Sequence, residues 1–300
     1  MGTKTPPWTG KMINLSSNTD KDSDQARHRH SQHDALFAEI LNNDVIDRDA
    51  RLPHAISLPK RIEQLAASFE LSRELWYQGL DRRILVALTK TLVRDCRIGP
   101  DESLTFKHAR ARFKHLRFAF ATFGDRHRYP ILFDALTSVM GNLQDAFKNN
   151  KHAATRRNAM LLRLLLSETL FNLVIAQTGA FRPTTPDKFR EYMKSQAIKI
   201  SHFLKNQRTT AQEFHDTRKI VSLYRASFAT LVTLEPSAHL VQVASYVATI
   251  NGMMGSFHDG LMARKLSGTL DYKRDTFVLP EEMRIRLQQL ASTMADNVTQ

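Results

Sequence analysis

A chain of 300 residues with 42% apolar content is long enough for one large or two modest domains, and too apolar to be disordered throughout. Its formal charge of +13 lies in the body of the chain: residues 51–250 carry 31 Lys and Arg against 16 Asp and Glu, whereas the first fifty carry 6 against 8 and the last fifty 6 against 6. A basic body with neutral ends points to a polyanionic partner, and the single cysteine, Cys96, excludes an internal disulfide and a cysteine-based metal cluster.

Residues 1–34 mix Gly, Pro, Ser, Asn and Asp with His28, His30 and His33, and are expected to form a disordered leader with no apolar signal core. The histidines read as part of a polar tail and not as a chelating tract. Residues 35–70 form an N-terminal helical extension, with a short helix near Ala35–Leu41 and another from Leu58 to Phe69. A first bundle half, 71–207, then contains helices at about 71–93, 104–123, 129–149, 153–178 and 186–206; the second half, 208–300, contains helices at about 211–234, 237–266 and 280–295. The most apolar run, Met160–Ala176, is broken by Arg163, Ser167 and Glu168 and is too short to cross a bilayer, so it reads as a buried core helix of a soluble cytoplasmic protein. Period-two alternation is nowhere sustained, so the fold class is all-α.

The stretch from Phe214 to Phe228 organises this reading. Turned at about 100° per residue, it gathers His215, Arg218, Lys219, Ser222 and Arg225 within about 120° and leaves Phe214, Val221, Tyr224 and Phe228 for the core. At a constant offset of 108 residues stand Phe106, Arg110, Phe113, Arg117 and Phe120, with Lys107 where the later helix has His215. Each stretch is followed by a second element, Met140-Gly141 with Asp145 and Met254-Gly255 with Asp259. Two matched features in one order read as a duplicated helical hairpin.

His215 followed by Arg218, Lys219 and Arg225, with the Gly255-to-Asp259 element on the next helix, resembles the CHAD domain, a histidine-bearing α-helical family. The resemblance covers about Leu71 to Leu266 and implies two four-helix bundles related by pseudo-twofold symmetry. The first copy has Lys107 at the family's histidine position, and the family's central basic pair stands as Lys114-His115 in the first copy and Ser222-Leu223 in the second. The resemblance further implies non-enzymatic binding of inorganic polyphosphate, on polyphosphate granules, by Lys107, Arg110, Lys114, Arg117, His215, Arg218, Lys219 and Arg225 across a basic channel. Arginine suits that role because its fork bonds two phosphate oxygens, and a histidine near its ordinary pKa would strengthen the site as pH falls.

Two other classes compete. A helical nucleic-acid binder has the same electrostatic requirement, but it needs aromatic or amide reading groups beside the cations; here only Phe118 lies among them. The pairs His215-Asp216 and His258-Asp259 resemble the metal pair of HD-type phosphohydrolases, for which His202 or His152 and Asp271 would have to complete the ligand set. Gly141 and Gly255 read as close-packing positions and His258, lacking a counterpart in the first copy, as peripheral. No phosphate loop or nucleophile elbow is present, so no catalytic residue, metal or cofactor is expected.

Overall fold

The computed structural model describes residues 19–42, 45–296 and 298–299. The fold is all-α, and its helix boundaries follow local chemistry. Near the N-terminus lie α1 (Thr19–Leu41), α2 (Ile62–Gln78) and α3 (Arg82–Asp95). The next hairpin is α4 (Pro100–Phe123) and α5 (Ile131–Lys148), followed by α6 (His152–Leu165), α7 (Glu168–Gly179) and α8 (Pro186–Leu204). The second long hairpin is α9 (Ala211–Leu234) and α10 (Ala238–Leu266), and α11 spans Glu281–Asp296. Two-residue strands tie the ends: β1 (Ile56–Ser57) runs parallel to β4 (Val298–Thr299), and β2 (Thr209–Thr210) antiparallel to β3 (Thr276–Phe277).

The caps that open the two basic helices are legible in their residues. Pro100 sits in the first turn of α4, and the Glu102 carboxylate accepts from the Gly99 amide at 2.8 Å. Thr210 opens α9 with a reciprocal box, its hydroxyl accepting from the Glu213 amide and the Glu213 carboxylate accepting from the Thr210 amide at 2.8 Å. Behind these helices Phe106, Phe113, Phe214 and Phe228 are buried in one continuous core with Trp76, Phe133 and Tyr246. Each such side chain contributes about 1.5–3 kcal/mol of transfer free energy, so the two helices are pinned by their apolar faces and their basic faces must turn elsewhere.

Three expectations need correction. Residues 19–34 belong to α1 instead of a disordered leader, and residues 1–18 lie outside the described residues. His33 explains much of this: it is 2% exposed, its Nδ1 accepting from Gln78 at 2.9 Å and its Nε2 lying 3.2 Å from Glu74, while Leu36 and Ile40 of α1 cover Leu71, Leu75 and Ala229. The helix expected at 71–93 is divided: Gly79 closes α2, and Asp81 opens α3 by accepting from the amides of Arg83 at 2.8 Å and Ile84 at 3.2 Å, while the Arg112 side chain fills the space beside Gly79 that a Cβ would take. The helix expected at 153–178 breaks at Leu166-Ser167, where the Leu166 carbonyl accepts from Arg82 Nε at 2.8 Å, and α6 and α7 meet at 69°. Among the described residues no single helix is long and apolar enough to cross a membrane.

Candidate anion-binding cleft

α4 and α9 pack directly on each other. Ser227 Oγ donates to Thr122 Oγ1 at 3.1 Å, and His115 Nε2 lies 3.1 Å from Thr230 and 3.3 Å from Ser72 in a buried polar knot. Burial, with Arg225 nearby, pushes His115 down to about 3, so the knot is uncharged. On one side of this crossing the two basic stripes open into a single cleft of about 910 Å³, walled by α4, α5, α9 and α10.

The cleft brings together Arg110, Lys114, Arg117, His215, Arg218 and Lys219. Lys148 joins them from the end of α5, giving six cationic side chains against the carboxylates of Asp134, Asp145 and Asp259. The glycines of the two matched elements face the arginines of the two matched helices. A Cβ on Gly141 would stand 3.1 Å from Arg110 Nη2, and one on Gly255 would stand 3.3 Å from Arg218 Nη2. Their role is therefore to leave room for guanidinium heads at the cleft floor.

The cations differ in their commitments. Arg117 is paired with Asp134 at 3.1 Å, bonds Ser138 at 3.3 Å and lies 5.0 Å over the Tyr129 ring. Lys219 is paired with Asp216 at 2.8 Å, but both groups are more than half exposed, and such pairs exchange readily for a stronger anion. Arg110 faces Asp145 electrostatically. Lys114, half-buried between Arg110, Arg218, Arg117 and Arg225, loses its proton at about 7: burial is the main cause, and those four guanidiniums add to it. It is the group in the cleft whose charge is most responsive to an arriving anion.

Two predicted residues sit apart from the cleft. Arg225 is 7% exposed, and its Nη2 donates to the carbonyls of Glu39 and Asn42, holding the C-terminal end of α1. Lys107 is exposed on α4. Both line a smaller chamber beside the cleft.

His258 is central, which corrects the expectation that it is peripheral. Its Nδ1 accepts from Arg218 Nη1 at 3.2 Å, its Nε2 donates to Tyr272 Oη at 2.9 Å, and its ring stacks on His215 with centroids 5.0 Å apart. Burial, then Arg218, depress His258 to about 4, and burial followed by Lys219 lowers His215. Both imidazoles are therefore neutral at pH 7, and the acid response expected of His215 passes to Lys114.

Spacing alone could have found the two missed residues. Lys148 follows Gly141 by seven and His258 follows Gly255 by three, so each shares a helix face with its glycine.

The metal-hydrolase alternative fares differently. Asp216 accepts from Lys219 and from Gln212 at 3.1 Å, and both nitrogens of His258 are engaged. His152, His202 and Asp271 do not line the cleft. Among the described residues no group of three or more His, Cys, Asp or Glu is placed to hold a metal ion. Comparison of the chain with family models, with curated proteins and with solved structures finds no match, and the functional reading therefore rests on the cleft.

Proposed function

We propose that the cleft binds inorganic polyphosphate without catalysis, as the resemblance to the CHAD domain implies, and that the protein acts at polyphosphate granules in the cytoplasm. The observation that carries this reading is the convergence of Arg110 and Lys114 from α4 with Arg218 and Lys219 from α9 on one open cleft in which cations outnumber carboxylates six to three. A flexible chain of phosphoryl groups offers repeated charge with no bases, and matches donors spread along a concave wall. The duplicated hairpin accounts for two facing cationic stripes.

The aromatic groups favour this ligand over nucleic acid. Phe118 is 3% exposed and lies beneath Lys114 and Arg117 at 5.6 and 5.7 Å, while Tyr129 is covered by Arg117. Phe118 is thus closed to a base, and Tyr129 has one face taken by Arg117. The test is competition for the purified protein at physiological salt between long-chain polyphosphate and single- and double-stranded DNA, at equal phosphate concentration. Displacement of bound DNA by polyphosphate supports the assignment, and retention of DNA refutes it.

A further inference from the structure

The smaller chamber, about 250 Å³, lies directly beside the cleft and shares with it Arg110, Lys114, Phe118, Lys148 and Ser222. Its lining differs in charge. Lys107, Arg110, Lys114, Lys148 and Arg225 contribute five cations, and no carboxylate lines it, whereas three carboxylates line the cleft. A chain threading the cleft meets mixed charge; a group entering the chamber meets only positive charge.

The chamber also holds an unsatisfied amide. Gln144, on α5, is 5% exposed, and its Oε1 is buried with no hydrogen-bond partner among the described residues. An unpaired buried acceptor is destabilising, so a group that bonds this amide offsets that cost. Oε1 accepts from a protonated phosphate oxygen; rotated by half a turn, the same amide offers its NH₂ to an ionised one. The terminal phosphoryl group of a phosphate chain has both kinds of oxygen near neutral pH, because its second proton leaves near pH 6 by analogy with phosphate monoesters. Interior groups carry a single charge and no such proton. The chamber volume equals that of about eight water molecules, below the range of drug-sized ligand pockets, so it has room for a phosphoryl group and poor accommodation for a nucleoside. Ile40 and Leu41 of α1 line one side, so an apolar wall faces the cationic groups there.

We propose that this chamber seats the terminal phosphoryl group of a phosphate chain, so that the protein captures chain ends in preference to chain interiors. The inference rests on the phosphate-binding assignment of the cleft and assigns Gln144, Lys107 and Lys148 to recognition of the end.

The experiment measures binding by titration calorimetry to linear tripolyphosphate, cyclic trimetaphosphate, a long polyphosphate of defined length, and the same long chain with both terminal groups esterified by a bulky alcohol. Capture of ends predicts at least about tenfold tighter binding of the linear than of the cyclic triphosphate, a comparable loss on esterification, and about two protein molecules per long chain irrespective of its length. Gln144→Leu, which keeps the volume and removes the amide, is expected to abolish most of that difference while leaving cyclic trimetaphosphate binding within about twofold. Equal affinity for linear and cyclic forms, or stoichiometry that grows with chain length, overturns the inference and leaves the cleft assignment standing. Failure of every phosphate to bind overturns both. Should Gln144→Leu prove unstable, Lys107→Ala on the exposed face of α4 gives the same reading, since its loss should reduce the linear-to-cyclic ratio.

Discussion

Lys114 provides the most quantitative test of the electrostatics. Its ammonium, ordinarily titrating at 10.5, does so at about 7 in the folded protein, chiefly through burial and then through Arg110, Arg218, Arg117 and Arg225. At 1.36 kcal/mol per pH unit, keeping this group charged at pH 7 costs the folded state at most about 4–5 kcal/mol. Because the side chain retains partial solvent access and the cleft recruits counterions, about 2 kcal/mol is expected in practice. Between pH 7 and 10.5 the unfolded chain holds a proton that the folded chain has released, so wild-type stability rises with pH across that window. Lys114→Met removes the penalty. Urea melts at pH 7, 8, 9 and 10 should show the variant more stable by about 2 kcal/mol at pH 7, with the gap narrowing toward pH 10. Saturating tripolyphosphate should stabilise the wild type more than the variant, and wild-type affinity should climb as pH falls from 9 to 7. A variant less stable than wild type at pH 7, or a gap that does not change with pH, would refute the reasoning.

The two arginines of α9 should separate cleanly. Arg225→Ala strands the carbonyls of Glu39 and Asn42 and is expected to lower stability by about 2–4 kcal/mol, read from the urea midpoint, with less than about tenfold loss of polyphosphate affinity. Arg218→Ala should do the reverse, with a midpoint change within about 1 kcal/mol and at least about tenfold weaker binding in the same titration. Gly255→Ala adds a methyl 3.3 Å from Arg218 Nη2 inside a helix. It should raise stability by up to about 1 kcal/mol through helix propensity while weakening polyphosphate binding severalfold, opposite signs that a melt and a titration would reveal together. Finally, if Arg110, Lys114, Lys148, Arg218 and Lys219 displace counterions as they would on a single-stranded polyanion, log affinity should fall against log salt with a slope of about −3.5; a slope near zero would mean that phosphate is not held by these cations.

The all-α fold and the burial of Phe106, Phe113, Phe120, Phe214 and Phe228 were legible because a 3.6-residue period leaves a direct trace in composition. Arg110, Lys114, Arg218 and Lys219 were legible as one set for the same reason: core on one face dictates cations on the other. Arg225 was not. Seven residues after Arg218, it shares that helix face, and only the approach of α1, nearly two hundred residues earlier in the chain, converts it from a surface group into a clasp. His33 was hidden likewise, its polar neighbours in sequence giving no hint of Glu74 and Gln78. The break at Gly79 did leave a local trace, a glycine followed two residues on by the capping Asp81, but the apolar period running through it on both sides masked that trace.

The bonds from Arg225 to the last turn of α1 carry a practical consequence. Trimming the protein back to residue 45 would strip Ile40 and Leu41 from the recess, bare the apolar patch of Leu71 and Leu75, and unclasp a guanidinium beside Lys114. Such a shortened form would be a stickier and less discriminating anion sponge, and binding data gathered on it would misreport the selectivity of the intact chain.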